Sequence, residues 1–229
     1  MTPASALILF DIDGTLLRRA GPDHRQALED AVFRVTGQRV STDGIPVAGM
    51  LDRDILRLMM QAVGLRAGQI RAVLPEIVVR AQSLYVRRCP DLRARVCPGV
   101  RPFLARLSRR ALPLGLVTGN LSRIGWTKMR RAGLYQHFRF GAFAEQGATR
   151  AALARLAVAE ARRRRWIERD ALVMLVGDHP NDVEAARANG LRSVAVATGV
   201  VPLEELALSS PDILVPNLAS LRMENLLCR

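Results

Sequence analysis

The sequence predicts a doubly wound α/β fold: a parallel sheet covered by helices on both faces, with a helical segment inserted after the first strand. From Pro98 onward, short apolar runs alternate with amphipathic stretches, the pattern of strands joined by crossover helices. Between the first apolar run and that alternation lie about 70 residues that read as helix alone, against roughly 2–6 for an ordinary βα connection. Three of the apolar runs also end in acids or hydroxyls, on the sheet edge where open α/β folds bind ligands.

The first strand is ALILF, residues 6–10. The insertion, placed at 18–89, carries HRQALEDAVFRVTG, stopped by Gly37, then LDRDILRLMMQAVG, stopped by Gly64, then a long stretch through IRAVLPEIVVRAQSLYVRR. Apolar residues recur there at three- and four-residue spacing. Pro75 is expected to break or start a helix within the last stretch. After Pro98 come a helix (VRPFLARLSRR), a strand (LPLGLVTGN), a helix (LSRIGWTKMRRAGL) and a short strand (FRFGAF). Then follow a helix (TRAALARLAVAEARRRR), a strand (ALVMLVGD), a helix (PNDVEAARANG) and a strand (SVAVATG). VPLEELAL starts a short helix with Pro202 near its beginning, DILVP is a last strand, and LASLRMENLL closes the chain. The core is therefore a Rossmann-like sheet of residues 1–17 and 90–229, and an α-helical insertion leaving the carboxyl end of a strand would sit over the ligand crevice as a lid.

Composition narrows the function classes. The 229 residues, 49% hydrophobic and 24% charged, suit a soluble globular protein of one large domain, or of one domain with a sizeable insertion. No apolar stretch approaches the roughly 20 residues of a membrane span, and MTPASALILF lacks the basic start of a secretory signal. Cys89, Cys97 and Cys228 form no CxxC or Cys/His cluster, so a reduced, cytoplasmic protein is expected. The formal net charge is +13, and all but one of the 34 basic residues are arginines, Lys128 being the exception. Only Arg162 to Arg165 form a dense run, at the end of a helical stretch where basic residues complement the helix dipole. Aromatics are 4% of the chain, too few to interleave stacking surfaces with the charge. No nucleic-acid partner is expected; the arginine surface would draw in anionic substrates.

The three polar strand ends are Asp11-Ile12-Asp13-Gly14-Thr15, Thr118-Gly119-Asn120, and Gly177-Asp178 with Asp182 four residues on. Singly, each could be an ordinary turn. Together, Asp11, Asp13 and Asp178 form a self-repelling cluster that Mg²⁺ would relieve. Thr118 and the amides after it could hold phosphate oxygens at a helix N-terminus. A carboxylate can attack phosphorus, and phosphoryl transfer chiefly needs positioning and charge neutralisation.

FDIDGTL at 10–16, LVTGN at 116–120 and VGDHPND at 176–182 resemble the motifs of the haloacid dehalogenase-like hydrolase superfamily, and within it the phosphoglycolate-phosphatase-type enzymes with a helical cap. The resemblance spans essentially the whole chain. It implies a cytoplasmic, Mg²⁺-dependent phosphoric monoester hydrolase, monomer or homodimer, acting on a small phosphorylated metabolite through an aspartyl-phosphate. Asp11 would be nucleophile and metal ligand. Asp13 would be general acid and then base, its backbone carbonyl also binding metal. Thr118, with the amides of Gly119 and Asn120, would hold the phosphoryl group. Asp178 would ligate Mg²⁺, and Asp182 would do so through water or orient the waters.

The chain departs from the family where a lysine usually neutralises nucleophile and phosphate. GAFAEQGATRAAL has none, and Arg150 takes that position, able to grip two oxygens. Lys128 is the second candidate, although two turns into a helix it suits a structural role. GMLDRDIL resembles the family's loop facing the active site; either Arg53 touches substrate or Asp52 merely caps a helix with Arg53 in solvent. His24 reads as a surface or hinge residue, and His179 as a turn residue before Pro180. The insertion contains no lysine, which disfavours the Schiff-base chemistry of phosphonate-cleaving relatives. Asp13 disfavours dehalogenation. A β-phosphoglucomutase-type phosphomutase and a non-catalytic binding protein on the same fold are the alternatives.

Overall fold

The computed structural model describes residues 2–18 and 21–227. Six strands, β1 (Ala4–Phe10), β2 (Leu114–Val117), β3 (Phe140–Ala142), β4 (Ile167–Gly177), β5 (Arg192–Val196) and β6 (Ile213–Val215), form one sheet in the order β3-β2-β1-β4-β5-β6. Every pairing is parallel. Helices cross between consecutive strands, giving the expected doubly wound, Rossmann-like α/β fold. β1 is apolar on both faces and buried from Ala6 to Phe10, because helices cover both sides of a parallel sheet. β4 starts four residues before the predicted ALVMLVGD. Its polar opening, Glu168 to Asp170, hides a strand whose first residue, Ile167, already pairs with Ala4.

Strand order reverses between β1 and β4. From β1 the chain winds to β2 and β3; from β4 it winds to β5 and β6. Such a reversal opens a crevice beyond the carboxyl ends of the two central strands. Phe10 lies in register with Leu116 of β2 and Val176 of β4, so the residues following these three strands emerge side by side.

Three helices, α1 (Pro22–Thr36), α2 (Asp52–Ala62) and α3 (Ala67–Arg88), fall between β1 and the first sheet-packing helix, α4 (Val100–Arg109). The chain leaves and rejoins the sheet along adjacent segments: Arg18 N–H donates to Arg95 O at 2.8 Å and Cys97 N–H to Leu16 O at 3.0 Å. Pro75 corrects the sequence expectation, because α3 runs through it unbroken. Proline removes one helical hydrogen bond and costs about 3 kcal/mol in a helix interior. Here it faces solvent, where the freed carbonyl can be hydrated, while Leu74 and Ile77 stay buried and anchor the helix on both sides of it.

The remaining helices are α5 (Ser122–Arg131), α6 (Arg150–Arg163), α7 (Pro180–Arg187), α8 (Leu203–Leu208) and α9 (Met223–Leu227). In the basic run closing α6, Arg163 and Arg164 both pair with Glu160. Cys89 and Cys97 are buried and unpaired; Cys228 lies outside the described residues. Among the described residues, no helix is long and apolar enough to cross a membrane.

Candidate active site

A cavity of about 530 Å³ opens at the strand reversal, between the sheet edge and the inserted helices. Asp11, Asp13, Thr118, Gly119, Asn120, Arg150 and Asp178 all line it. Asp11 follows β1 directly, and its N–H donates to Val176 O at 2.9 Å, which fixes the start of the turn. Thr118 follows β2, fully buried, its N–H donating to Ala142 O at 3.1 Å. Asp178 follows β4, and Asp182 sits in the first turn of α7, where its carboxylate accepts from the His179 N–H at 3.3 Å.

Asp11, Asp178 and Asp182 bring carboxylate oxygens within 4.8 Å of one another, all buried. Two glycines make room. Gly14 has φ +85°, a left-handed value costly for other residues, and a Cβ there or at Gly199 would overlap the Asp178 carboxylate. Thr15 donates its hydroxyl to Asp178 at 2.9 Å. Burial, and then the charges of Asp11 and Asp182, push the Asp178 carboxyl well above its ordinary range. Burial likewise pushes Asp182 up to about 7, with Arg150 opposing the rise. One Asp182 oxygen, Oδ1, is buried with no hydrogen-bond partner. Clustered hard oxygens, excess negative charge and an unsatisfied carboxylate oxygen suit a small divalent cation such as Mg²⁺.

Arg150 is the cation of this cluster. Thr149 caps α6 by accepting the Ala152 N–H at 3.1 Å, so Arg150 becomes its first residue and points inward. Its Nη1 donates to Asp11 Oδ1 at 2.8 Å and to Val117 O at 3.3 Å, and its Nε faces Asp182 Oδ1 at 3.4 Å. Burial alone would loosen the guanidinium's proton, but Asp11 and Asp182 more than reverse this.

Lys128 goes elsewhere. The chain's one lysine is fully buried and donates to Asp13 Oδ2 at 2.5 Å and Asn120 Oδ1 at 2.6 Å. Asn120 donates to the same Asp13 oxygen at 2.8 Å and to Thr118 Oγ1 at 2.7 Å. Burial pushes the Asp13 carboxyl up, but Lys128, His24 and the hydrogen bonds outweigh it and hold Asp13 below its ordinary range. The two buried cations thus serve separate acids, Arg150 at Asp11 and Lys128 at Asp13. Replacing Lys128 by methionine should destabilise the fold by about 3 kcal/mol, since it strips a partly buried carboxylate of its partner. A denaturant midpoint unchanged from wild type would show that the pair contributes nothing.

Two residues of GMLDRDIL behave otherwise than the sequence suggests. Leu51, not Asp52, takes the N-cap position of α2. The Asp52 carboxylate caps a different helix, accepting the Leu121 N–H before α5 at 2.8 Å, while its own N–H donates to Gly119 O at 2.8 Å. Its oxygen also meets His24 Nε2 at 3.1 Å, and His24 Nδ1 lies 3.2 Å from Lys128. Sequence reasoning missed this chain, because its partners stand 28 to 115 residues apart; the available signal was a solitary lysine among arginines. Arg53, expected at the substrate, is not among the residues lining this cavity. Its Nη1 reaches Glu145 O at 3.5 Å and it lines a separate groove with Arg57 and Arg71. Consecutive helical residues point about 100° apart, so a buried, inward Asp52 turns Arg53 away. His179 caps α7 as a turn residue would, accepting from the Asn181 N–H at 3.2 Å, and also lines the cavity.

Comparison with known proteins agrees with this picture. The model of the family described as haloacid dehalogenase-like hydrolase matches residues 6–190. A phosphoglycolate phosphatase from Synechococcus elongatus is 35% identical over 215 residues, covering 91% of each chain. In fold, the chain is similar to CbbY from Rhodobacter sphaeroides in complex with xylulose-(1,5)bisphosphate, with TM-score 0.72, 19% identity, and 96% of this chain and 98% of that one covered. It is also similar to β-phosphoglucomutase from Clostridium difficile, with TM-score 0.69, 16% identity, and 99% and 96% covered.

Proposed function

The chain belongs to the haloacid dehalogenase-like hydrolases, and on that premise we propose that it is a Mg²⁺-dependent phosphatase that cleaves a small phosphomonoester through an aspartyl-phosphate on Asp11. The observation that carries the reading is the convergence of Asp11, Asp178 and Asp182 with Arg150 and Thr118 at one cavity. Residues 1–17 and 90–229 form the catalytic core, and 18–89 the cap that admits the substrate. The phosphatase relative's name favours a phosphoglycolate-like ester, with a sugar phosphate as the other candidate.

Asp11 attacks phosphorus with a carboxylate oxygen, and the ester oxygen departs with the P–O bond's electron pair, taking a proton from Asp13. Water then attacks the aspartyl-phosphate, Asp13 accepts its proton, and phosphate and the Asp11 carboxylate are regenerated. Thr118 and the amides of Gly119 and Asn120 hold the phosphoryl oxygens. Arg150 neutralises Asp11 and the incoming phosphate together. The proton that Asp13 gives to the leaving group is the one it recovers from water, and between the two steps Lys128 and Asn120 stabilise its ionised form, the state that activates water. Asp11, Asp178 and the Asp13 backbone carbonyl would hold Mg²⁺, with Asp182 behind them. When bound, the cation offsets the charge of the acids and of the phosphoryl oxygens.

The test is phosphate release from p-nitrophenyl phosphate and 2-phosphoglycolate, present with Mg²⁺ and abolished by EDTA; no release from any ester would sink the reading. A mutase would instead need a bisphosphate activator and yield isomerised sugar phosphate. A second expectation follows from the acids. With carboxyls raised above the unfolded value of 3.8, the folded protein binds more protons than the unfolded chain, so metal-free stability falls as pH rises from about 4 toward 7. Mg²⁺ reverses that penalty and requires the deprotonated acids. At a hundredfold excess over its Kd it should add about 2.7 kcal/mol, and its thermal shift should be larger at pH 8 than at pH 5.5. Equal shifts at both pH values would place the cation elsewhere.

A further inference from the structure

We propose that the cavity carries a second anion-binding end, formed by Arg18 and Arg25, which selects phosphomonoesters bearing another negative group, a carboxylate or a second phosphate, beyond the phosphoryl group. The inference rests on the phosphatase reading above and names its substrate class. The cavity is much larger than a phosphate ion, so something besides the phosphoryl group fills it.

The charges lining it are unevenly matched. Its four acids are all engaged: Asp11 by Arg150, Asp13 by Lys128, Asp52 by His24 and the Leu121 N–H, and Asp178 by Thr15. The two remaining arginines are not. Among the described residues, Arg18 has no ion pair or side-chain hydrogen bond. Arg25 meets only Asp43, at 3.8 Å, with both side chains more than half exposed. A surface pair of that length and exposure is worth little, so an incoming anion can take the guanidinium. Arg25 lies in the first turn of α1 beside His24, and Arg18 where the chain leaves the core for the inserted helices. Leu28, Val47 and Ile55 line the same cavity. A ligand matched to it carries phosphate toward the acids, a short carbon body along the apolar wall, and a second anion toward these two guanidiniums, which suit planar carboxylate and phosphate oxygens alike.

Paired substrates test this by ratio. With Mg²⁺ present, kcat/KM for 2-phosphoglycolate and for a pentose bisphosphate should exceed that for 2-hydroxyethyl phosphate, which lacks the second charge. Arg25→Gln and Arg18→Gln should each shrink that preference about ten- to thirtyfold, chiefly through KM. Arg25→Lys should restore part of it, which a merely structural role would not produce. Whichever charged substrate loses more identifies the second anion as carboxylate or phosphate. Equal kcat/KM for charged and neutral-ended esters, or variants that leave the ratio intact, would overturn the second site while generic phosphatase activity survives. If p-nitrophenyl phosphate and all three esters go uncleaved, the phosphatase reading itself fails, and this inference with it.

Discussion

Replacing Asp11 by asparagine should lower kcat by at least about four orders of magnitude, the scale on which removal of a covalent nucleophile is felt. The carboxamide keeps the shape of the side chain and can still accept from Arg150, so the protein should fold and its spectrum should match wild type. What disappears is the electron pair that attacks phosphorus. The same change removes one charge from a buried cluster of three acids. The variant should therefore respond less to Mg²⁺ in thermal unfolding, and its metal-free stability should depend less steeply on pH, because the remaining carboxyls no longer titrate against Asp11. Phosphate release within tenfold of wild type, by a folded variant, would eliminate covalent catalysis by Asp11.

How far this site could be read from the sequence depends on how locally each part is determined. β1 was legible because a strand buried on both faces must be continuously apolar, and because the turn after it needs Gly14 at positive φ, so the motif carries its own geometry. Asp178 and Thr118 were legible for the same reason: each ends a strand, and a parallel sheet sets all such ends on one edge. Arg150 followed from a gap in a familiar pattern. The inserted segment was harder, because its side chains take their partners from the core. Asp52 looks in sequence like the start of its own helix and in three dimensions caps α5, through a hydrogen bond spanning 69 residues. Lys128 stays the second candidate in sequence, because its bond to Asp13 depends on the α5 face that packs inward. Pro75 misled because helix propensity is a local rule, and here the packing of Leu74 and Ile77 on either side overrides it. Arg53 is open in sequence between substrate and solvent for the related reason that one residue along a helix turns a side chain from the cavity to the neighbouring groove.

Arg150→Ala is the second change of large effect, and it separates charge neutralisation from simple packing. The guanidinium is buried, bound to the nucleophile and facing Asp182, so its loss leaves the cluster of Asp11, Asp178 and Asp182 without the cation that pairs with it. Removing one member of a buried charged network costs about 3–5 kcal/mol, and metal-free Arg150→Ala should lose stability on that scale. Mg²⁺ should recover part of it by taking over the neutralising role, so the thermal shift on adding the cation should be larger than in wild type. Turnover should still fall by about 10²–10³-fold, comparable to deleting one preorganised donor to a charged transition state. Arg150→Lys should regain part of this, since a single ammonium can meet Asp11 or Asp182 but cannot fork between them. Combining Arg150→Ala with Asp11→Asn should cost little more than Asp11→Asn alone, because both act on the same attacking carboxylate. Full additivity would mean that Arg150 contributes through the phosphoryl group or the fold, independently of Asp11. Arg150→Ala activity within threefold of wild type would remove it from catalysis altogether and leave the metal as the sole neutraliser.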